Sequence, residues 1–318
     1  MAKTVLITGG TGFIGGAAAA RFLSDGWNVR ILTRRNPFEL KNSGAEFVRA
    51  DYSDPASLSK AVSGCSAVVH LAGALFAWSR EEFDKANAAV TANLAAVCAE
   101  SKPEVFVHVS SLAAGGPVPA GQNRRDETMP DAPVSNYGAS KLSGEKELSR
   151  LHPETRRVIF RPPIVYGKGD PATATLARWV KRGLMVCPPE AFFSFIYVED
   201  FARCLGLALS NPAIAGKTYY VCEEKTYSWT QFIRSVAEAC GRRPPLLLRL
   251  RPFEMKAAGW IYQRAARLAG DSPLFNDDKA REACAGDWTA NPSRWMKDSG
   301  QSEWTPLCQG VKKTFPEL

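Results

Sequence analysis

The chain has 318 residues, 45% of them hydrophobic and 23% charged, enough apolar material for one large or two modest cores. Its net charge of +8 is spread along the chain, not gathered into the basic stripe that a nucleic-acid surface wants. Eight scattered cysteines without a CxxC pair and only three histidines argue against a metal site and for reduced thiols in a cytoplasm.

No apolar run approaches a membrane span, and a strand that begins at Lys3 leaves no room for a secretory signal. That strand, "KTVLIT", leads into "TGGTGFIGG" (8–16), where five glycines fall within nine residues. A helix-like, alanine-rich run over 12–24 follows. In a strand–turn–helix context the spacing Gly9-x-x-Gly12-x-x-Gly15 suits a dinucleotide. The first glycine makes the bend, the second admits a pyrophosphate, and the third lets helix and strand pack closely. Thr11, Phe13 and Ile14 fill the same turn.

The second strand, "NVRILT", ends in Thr33 followed by Arg34 and Arg35. An NAD-selective site puts a carboxylate at that strand end, whereas a guanidinium accommodates a 2′-phosphate, so NADP is favoured over NAD. After "AEFVRA", Asp51 with Tyr52 could meet the adenine, or Asp51 could cap the helix predicted over 55–63. "SAVVHLAG", "VFVHVSS" and "RRVIF" continue the strands, with helices predicted over 81–101 and 137–151. This alternation predicts an α/β fold, a doubly wound parallel sheet covered on both faces. The polar, proline-rich stretch 117–136 reads as a long functional loop. His70 and His108 lie in apolar strands and read as structural, and His152 has no partner at metal spacing.

"YGASK" puts Tyr137 and Lys141 on one helical face. A free tyrosine has a pKa near ~10, and a neighbouring ammonium would lower it enough for proton exchange at neutral pH. Ser110 and Ser111 sit at the carboxyl end of a strand, where parallel sheets present ligand-binding groups. Ser111 would orient a substrate oxygen while Tyr137 trades a proton with it.

In the second half the alternation fades. "FSFIYVEDFARCLGLALS" reads as strand and helix, and "KTYYVC" as a strand. From about 223 the chain becomes more helical, as a smaller lobe over the sheet's carboxyl edge. The stretch 246–270 mixes Arg and Lys with Trp260, Ile261 and Leu268. It could line an entrance for a lipophilic substrate or rest on a membrane surface. The favoured reading is a lobe helix packing its apolar side on the core.

Together these stretches resemble the extended short-chain dehydrogenases/reductases, the NAD-dependent epimerase/dehydratase family. The resemblance spans most of the chain: "TGGTGFIG", "VVHLAG" (68–73), "KANAAVTANL" (85–94), "VSS", "YGASK", "FRPPIVYGKGD" (160–170), "FIYVEDFA" (195–202) and "KDSGQSEWTPLCQGVKKT" (297–314). It implies a Rossmann domain from 1–162 with 193–222, and a mostly helical substrate lobe from 163–192 with 223–318. It makes Ser111, Tyr137 and Lys141 the catalytic set, and Asn87 the member that completes a water-linked proton relay. Leu71, Ala72 and Gly73 would line the dinucleotide, with Pro163 and Ile164 beside the nicotinamide. It also implies a small-molecule substrate and a homodimer through the Tyr-bearing helix and its neighbour.

Departures from the family patterns narrow the reaction. Ser111 is followed by Leu112, Ala113 and Ala114, where the sugar-nucleotide dehydratases carry an Asp-Glu pair. Elimination by that route lacks its acid and base. Ile164 stands where the epimerases have a diphosphate-touching asparagine, and Arg34 matches the NADP arginine of the dihydroflavonol-reductase-like branch, which lies near the hydroxysteroid-dehydrogenase-like members. The expectation is an NAD(P)-dependent oxidoreductase interconverting a carbonyl and a secondary alcohol. Its alternatives are a nucleotide-sugar epimerase that retains NAD and a non-catalytic cofactor sensor.

Overall fold

The computed structural model describes residues 3–35, 44–269 and 275–315. In the first half, six strands are β1 (Thr4–Thr8), β2 (Asn28–Thr33), β3 (Glu46–Arg49), β4 (Ala67–His70), β5 (Val105–Val109) and β6 (Arg156–Arg161). Short strands follow: β7 (Ile164–Tyr166), β8 (Leu184–Cys187), β9 (Phe192–Phe193) and β10 (Phe195–Tyr197). The last three are β11 (Thr218–Tyr220), β12 (Tyr227–Ser228) and β13 (Leu246–Arg249).

Seven strands form one parallel sheet in the order β11-β6-β5-β4-β1-β2-β3. The order reverses between β1 and β4, so the crevice beyond their carboxyl ends is the natural ligand position. The central strands β1, β4 and β5 are short apolar runs because both faces are covered; every residue of β4 and β5 is buried.

The helices of this part are α1 (Phe13–Ser24), α2 (Pro55–Val62), α3 (Arg80–Phe83), α4 (Val90–Ser101), α5 (Leu112–Gly115), α6 (Asn136–Glu147), α7 (Pro171–Arg182) and α8 (Val198–Ser210). On one face Val105 and Val107 pack with Phe22 of α1 and Phe201 and Leu205 of α8. On the other, Phe106 packs with Leu58 of α2 and Leu94 of α4. The helix predicted over 81–101 is interrupted, because Asp84–Ala89 widens into a π-helical turn between α3 and α4. Such turns recur at functional sites.

The carboxyl part adds α9 (Trp229–Ala239), α10 (Pro252–Ala269), α11 (Asp277–Ala283), α12 (Ser293–Ser299) and α13 (Leu307–Thr314). Trp295 of α12 returns to the main sheet, its ring 5.1 Å edge-on from Phe160 and 5.3 Å from Tyr219. The loop after α5 is stapled by buried Arg125, which donates to Tyr220 Oη at 3.1 Å and to the carbonyls of Pro117 and Pro130.

The expectation for 246–270 is overturned. α10 does not pack its apolar side inward: Met255, Gly259 and Ala266 are buried, while Phe253, Trp260, Ile261 and Leu268 face out. Close approach explains the choice. A Cβ on Gly259 would lie 2.9 Å from the Asn276 carbonyl oxygen, so only a small residue fits between α10 and the start of α11. No helix among the described residues is long and apolar enough to cross a membrane.

Candidate active site

The glycine turn is built as its spacing requires. Gly9 has φ of 71°, and a Cβ there would sit 2.9 Å from Ala72 N; on Gly15 it would sit 2.2 Å from the Gly9 oxygen. Gly9 therefore makes the bend, and Gly15 lets α1 lie against it. No side chain caps α1 at Gly12, so its first N–H groups, at the positive end of the helix dipole, suit a pyrophosphate. Thr11 is exposed beside them, while Phe13 and Ile14 lean on the apolar clusters below.

Arg34 and Arg35 are exposed beyond β2, and Thr33 Oγ1 accepts the Arg35 N–H at 3.0 Å. Asp51 Oδ1 accepts from Ser53 N at 2.8 Å and Ser53 Oγ at 2.7 Å. Those bonds, with the charge of Arg34, hold its carboxyl below the usual range. Burial pushes the Tyr52 phenol up to about 12, against the nearby Thr8 hydroxyl and the charge of Arg34. Arg34, Asp51 and Tyr52 are thus gathered at one sheet edge. Asp51 does not cap α2; Asp54 does, accepting from Ala56 N at 3.1 Å.

A directed chain of hydrogen bonds fixes the loop after β4. Ala72 N–H donates to Thr8 Oγ1 (3.2 Å), which meets His70 Nδ1 (2.6 Å). His70 Nε2 meets Thr91 Oγ1 (3.0 Å), and Thr91 donates to the Asn87 carbonyl (2.7 Å). Because Thr91 gives its proton to Asn87, His70 Nε2 is the donor and Nδ1 the acceptor. The imidazole is neutral; burial, then the charge of Lys141, pulls it down to about 3.

Asn87, on the π turn, donates from Nδ2 to Ser140 Oγ (2.8 Å) and to the Ala74 carbonyl (3.2 Å), and its Oδ1 accepts Ala74 N–H (2.8 Å). Its amide clamps the loop behind Leu71, Ala72 and Gly73 to α6. A Cβ on Gly73 would come within 2.6 Å of Asn87 Oδ1 and 3.7 Å of Lys141 Nζ.

Ser110 is buried, and its hydroxyl has no hydrogen-bond partner among the described residues. Ser111 caps α5 by accepting Ala113 N–H at 3.1 Å, and its hydroxyl is near enough to the Tyr137 phenol to favour the phenolate. Gly138 allows this meeting, since a Cβ there would lie 2.3 Å from the Ala113 oxygen. Nearby, Leu112 N–H donates to the Pro162 carbonyl at 2.9 Å. Just beyond lie Pro163 and Ile164, the latter against the same apolar cluster as Phe13.

The electrostatics differ from the sequence expectation. Burial raises the Tyr137 phenol well above its ordinary value, Ser111 offsets part of this, and Glu282 adds to it. The Lys141 ammonium, instead of depressing the phenol, donates to the Val109 carbonyl at 2.7 Å. Burial pulls Lys141 itself down to about 8, against the charge of Glu145. Tyr137 is therefore a stored acid.

Two features of the site had escaped the sequence. Asp278 of α11 accepts the N–H groups of Asn136 (2.7 Å) and Tyr137 (3.2 Å), while Glu282 accepts the Ser135 hydroxyl (2.6 Å). Between them Lys279 Nζ lies 4.6 Å from the Tyr137 ring centroid. In the second, buried Arg161 grips Glu145 of α6 (2.8 and 2.6 Å) and Asp131 of the long loop (2.6 and 2.9 Å). Neither set of partners is local, so no short motif announces it.

The chain is similar to known proteins over most of its length. The model of the NAD dependent epimerase/dehydratase family matches residues 5–222. A ceramide reductase of Caulobacter vibrioides is 30% identical, over 98% of this chain and 90% of its own. A 2-alkyl-3-oxoalkanoate reductase of Stenotrophomonas maltophilia is 26% identical over 97% of both chains. Among solved structures, a Thermus thermophilus UDP-glucose 4-epimerase complexed with NAD shares the fold at a TM-score of 0.77, 24% identity and 98% coverage of each chain.

Proposed function

Because the chain belongs to the NAD dependent epimerase/dehydratase family and is an NAD(P)-dependent oxidoreductase, we propose that it reduces an apolar, lipid-like ketone to a secondary alcohol with NADP. The observation that carries this reading is the placement of Tyr137 close to Ser111 under an apolar wall. Phe83 lies 5.9 Å from the Tyr137 ring, and Leu112, Ala113 and Ala114 are all buried where an eliminating enzyme would need carboxylates. Leu75 and Phe76, exposed on the loop after β4, extend the same apolar character. The relatives named for ceramide and for 2-alkyl-3-oxoalkanoates support a long-chain substrate.

Hydride transfer is the chemistry that a bound nicotinamide supplies. Ser111 orients the substrate oxygen by a hydrogen bond. Tyr137, held as the neutral phenol by burial, gives that oxygen its proton. The phenolate left behind sits one helical turn from Lys141, whose ammonium offsets the new charge once it swings from the Val109 carbonyl. Asn87 and Asp278 position the loop and helix that carry these groups. Arg34, beyond a strand end lacking a carboxylate, supports recognition of a 2′-phosphate.

The test supplies NADPH with long-chain ketones and, separately, with UDP-sugars. Loss of the reduced nicotinamide's absorbance in step with alcohol formation is the expected result. Interconversion of UDP-sugar epimers with no net loss would overturn it. Arg34→Ala should erase a preference for NADP over NAD; an unchanged preference would remove the cofactor assignment.

A further inference from the structure

We propose that the outer face of α10, together with the exposed apolar face of the β8–β13 pair, docks on an anionic lipid bilayer. α10 is built inside out for a helix of a soluble lobe. Its largest apolar side chains are its most exposed: Phe253 64%, Trp260 53%, Ile261 60% and Leu268 91%. Their spacing of seven or eight residues puts all four on one face, opposite buried Met255, Gly259 and Ala266. A folded core gains nothing from this arrangement.

The chain reaches α10 through β13, and the same inversion starts there. Leu246 pairs with Leu184 and Leu248 with Val186, so the four lie on one face of a two-stranded sheet, and all four are exposed. Two residues separate β13 from α10. Exposed apolar residues therefore follow one another along the chain from β13 into α10.

Charge selects the occupant. From 251 to 267 the chain carries Arg251, Lys256, Arg264 and Arg267 against the single acid Glu254. None of these four cations has a carboxylate within ion-pair distance among the described residues. The Arg264 guanidinium lies 4.1 Å over the Trp260 ring, and Arg182 4.7 Å over exposed Trp179. Arginine stacked on tryptophan presents an apolar plate with a charged rim, which matches the boundary between acyl chains and phosphate headgroups. A protein partner would require acids to match these bases, and four large apolar side chains gathered on one exposed face gain from leaving water together.

The experiment uses the full chain with sedimenting vesicles of phosphatidylcholine alone, or of phosphatidylcholine with phosphatidylglycerol. The protein should pellet with the mixed vesicles, stay in the supernatant with phosphatidylcholine alone, and be released by high salt. Ile261→Asp with Leu268→Asp should weaken pelleting at least about tenfold. Melting temperature and NADP binding should stay unchanged, since both side chains are exposed. Wild-type protein left in the supernatant with the anionic vesicles would overturn the proposal. So would equal pelleting of the variant, or a dimer that the two substitutions dissociate without vesicle binding.

Discussion

Asp278 reaches back 141 positions to accept the backbone N–H of Tyr137 at 3.2 Å. A carboxylate at the amino end of α6 complements the helix dipole there, so the carboxyl part of the chain sets the angle of the helix that carries Tyr137 and Lys141. Asp278→Ala should cost about 1 kcal/mol of stability, as loss of a helix cap does. It should lower kcat about ten- to a hundredfold through misplacement of the phenol. Cofactor affinity should hold. Thermal melting, steady-state rates and NADP titration separate the effects, and an unchanged kcat would remove Asp278 from the positioning of Tyr137.

Lys141 stabilises catalysis at the expense of the fold. Its folded-state pKa, about 8, lies below its unfolded value. Between that value and about 10.4 the unfolded chain holds the extra proton, so stability from this group rises with pH across the window, and the penalty is complete at neutral pH. Lys141→Met should therefore melt higher than the parent at pH 7, lose that advantage by pH 10, and be nearly inactive. A variant that melts lower at pH 7 contradicts the buried-charge account.

The two strand histidines make the protein acid-sensitive. Burial lowers both, His70 to about 3 and His108 well below its ordinary value. The unfolded chain takes up protons below about 6.5 while the native state refuses them, so stability falls as pH drops through that point. Each histidine contributes up to about 1.4 kcal/mol per pH unit. His108→Phe should halve the acid slope of denaturant stability; an undiminished slope would point to other groups.

The glycine turn offers a paired test. Gly15→Ala sets a methyl 2.2 Å from the Gly9 oxygen and should cost about 1–3 kcal/mol and much of the NADP affinity. Gly16→Ala, with open space around it in α1, should instead stabilise by about 1 kcal/mol. Denaturant melts of both variants decide it, and equal effects would refute the packing argument.

What the sequence disclosed is what local physics controls. Gly9 and Gly15 are required by one turn, and "VFVHV" is buried on both faces wherever a parallel sheet places it. Long-range partners carry no such mark: nothing near Asp278 or Trp295 in the chain indicates Tyr137 or Phe160. The expected acidity of Tyr137 failed for a related reason. Spacing on a helix says that Lys141 is near but not that the Val109 carbonyl competes for it. For α10 the pattern of apolar residues was legible and its direction was not, because Gly259, the smallest residue, decides which side goes in.

Arg161 ties α6 and the 117–134 loop to the sheet with a single guanidinium. Those two segments consequently form one stiff frame. The loop after β4 meets the start of α11 through softer contacts, the Asn276 amide on the Ala77 carbonyl at 3.2 Å and Lys279 Nζ 5.7 Å from the Phe76 ring centroid.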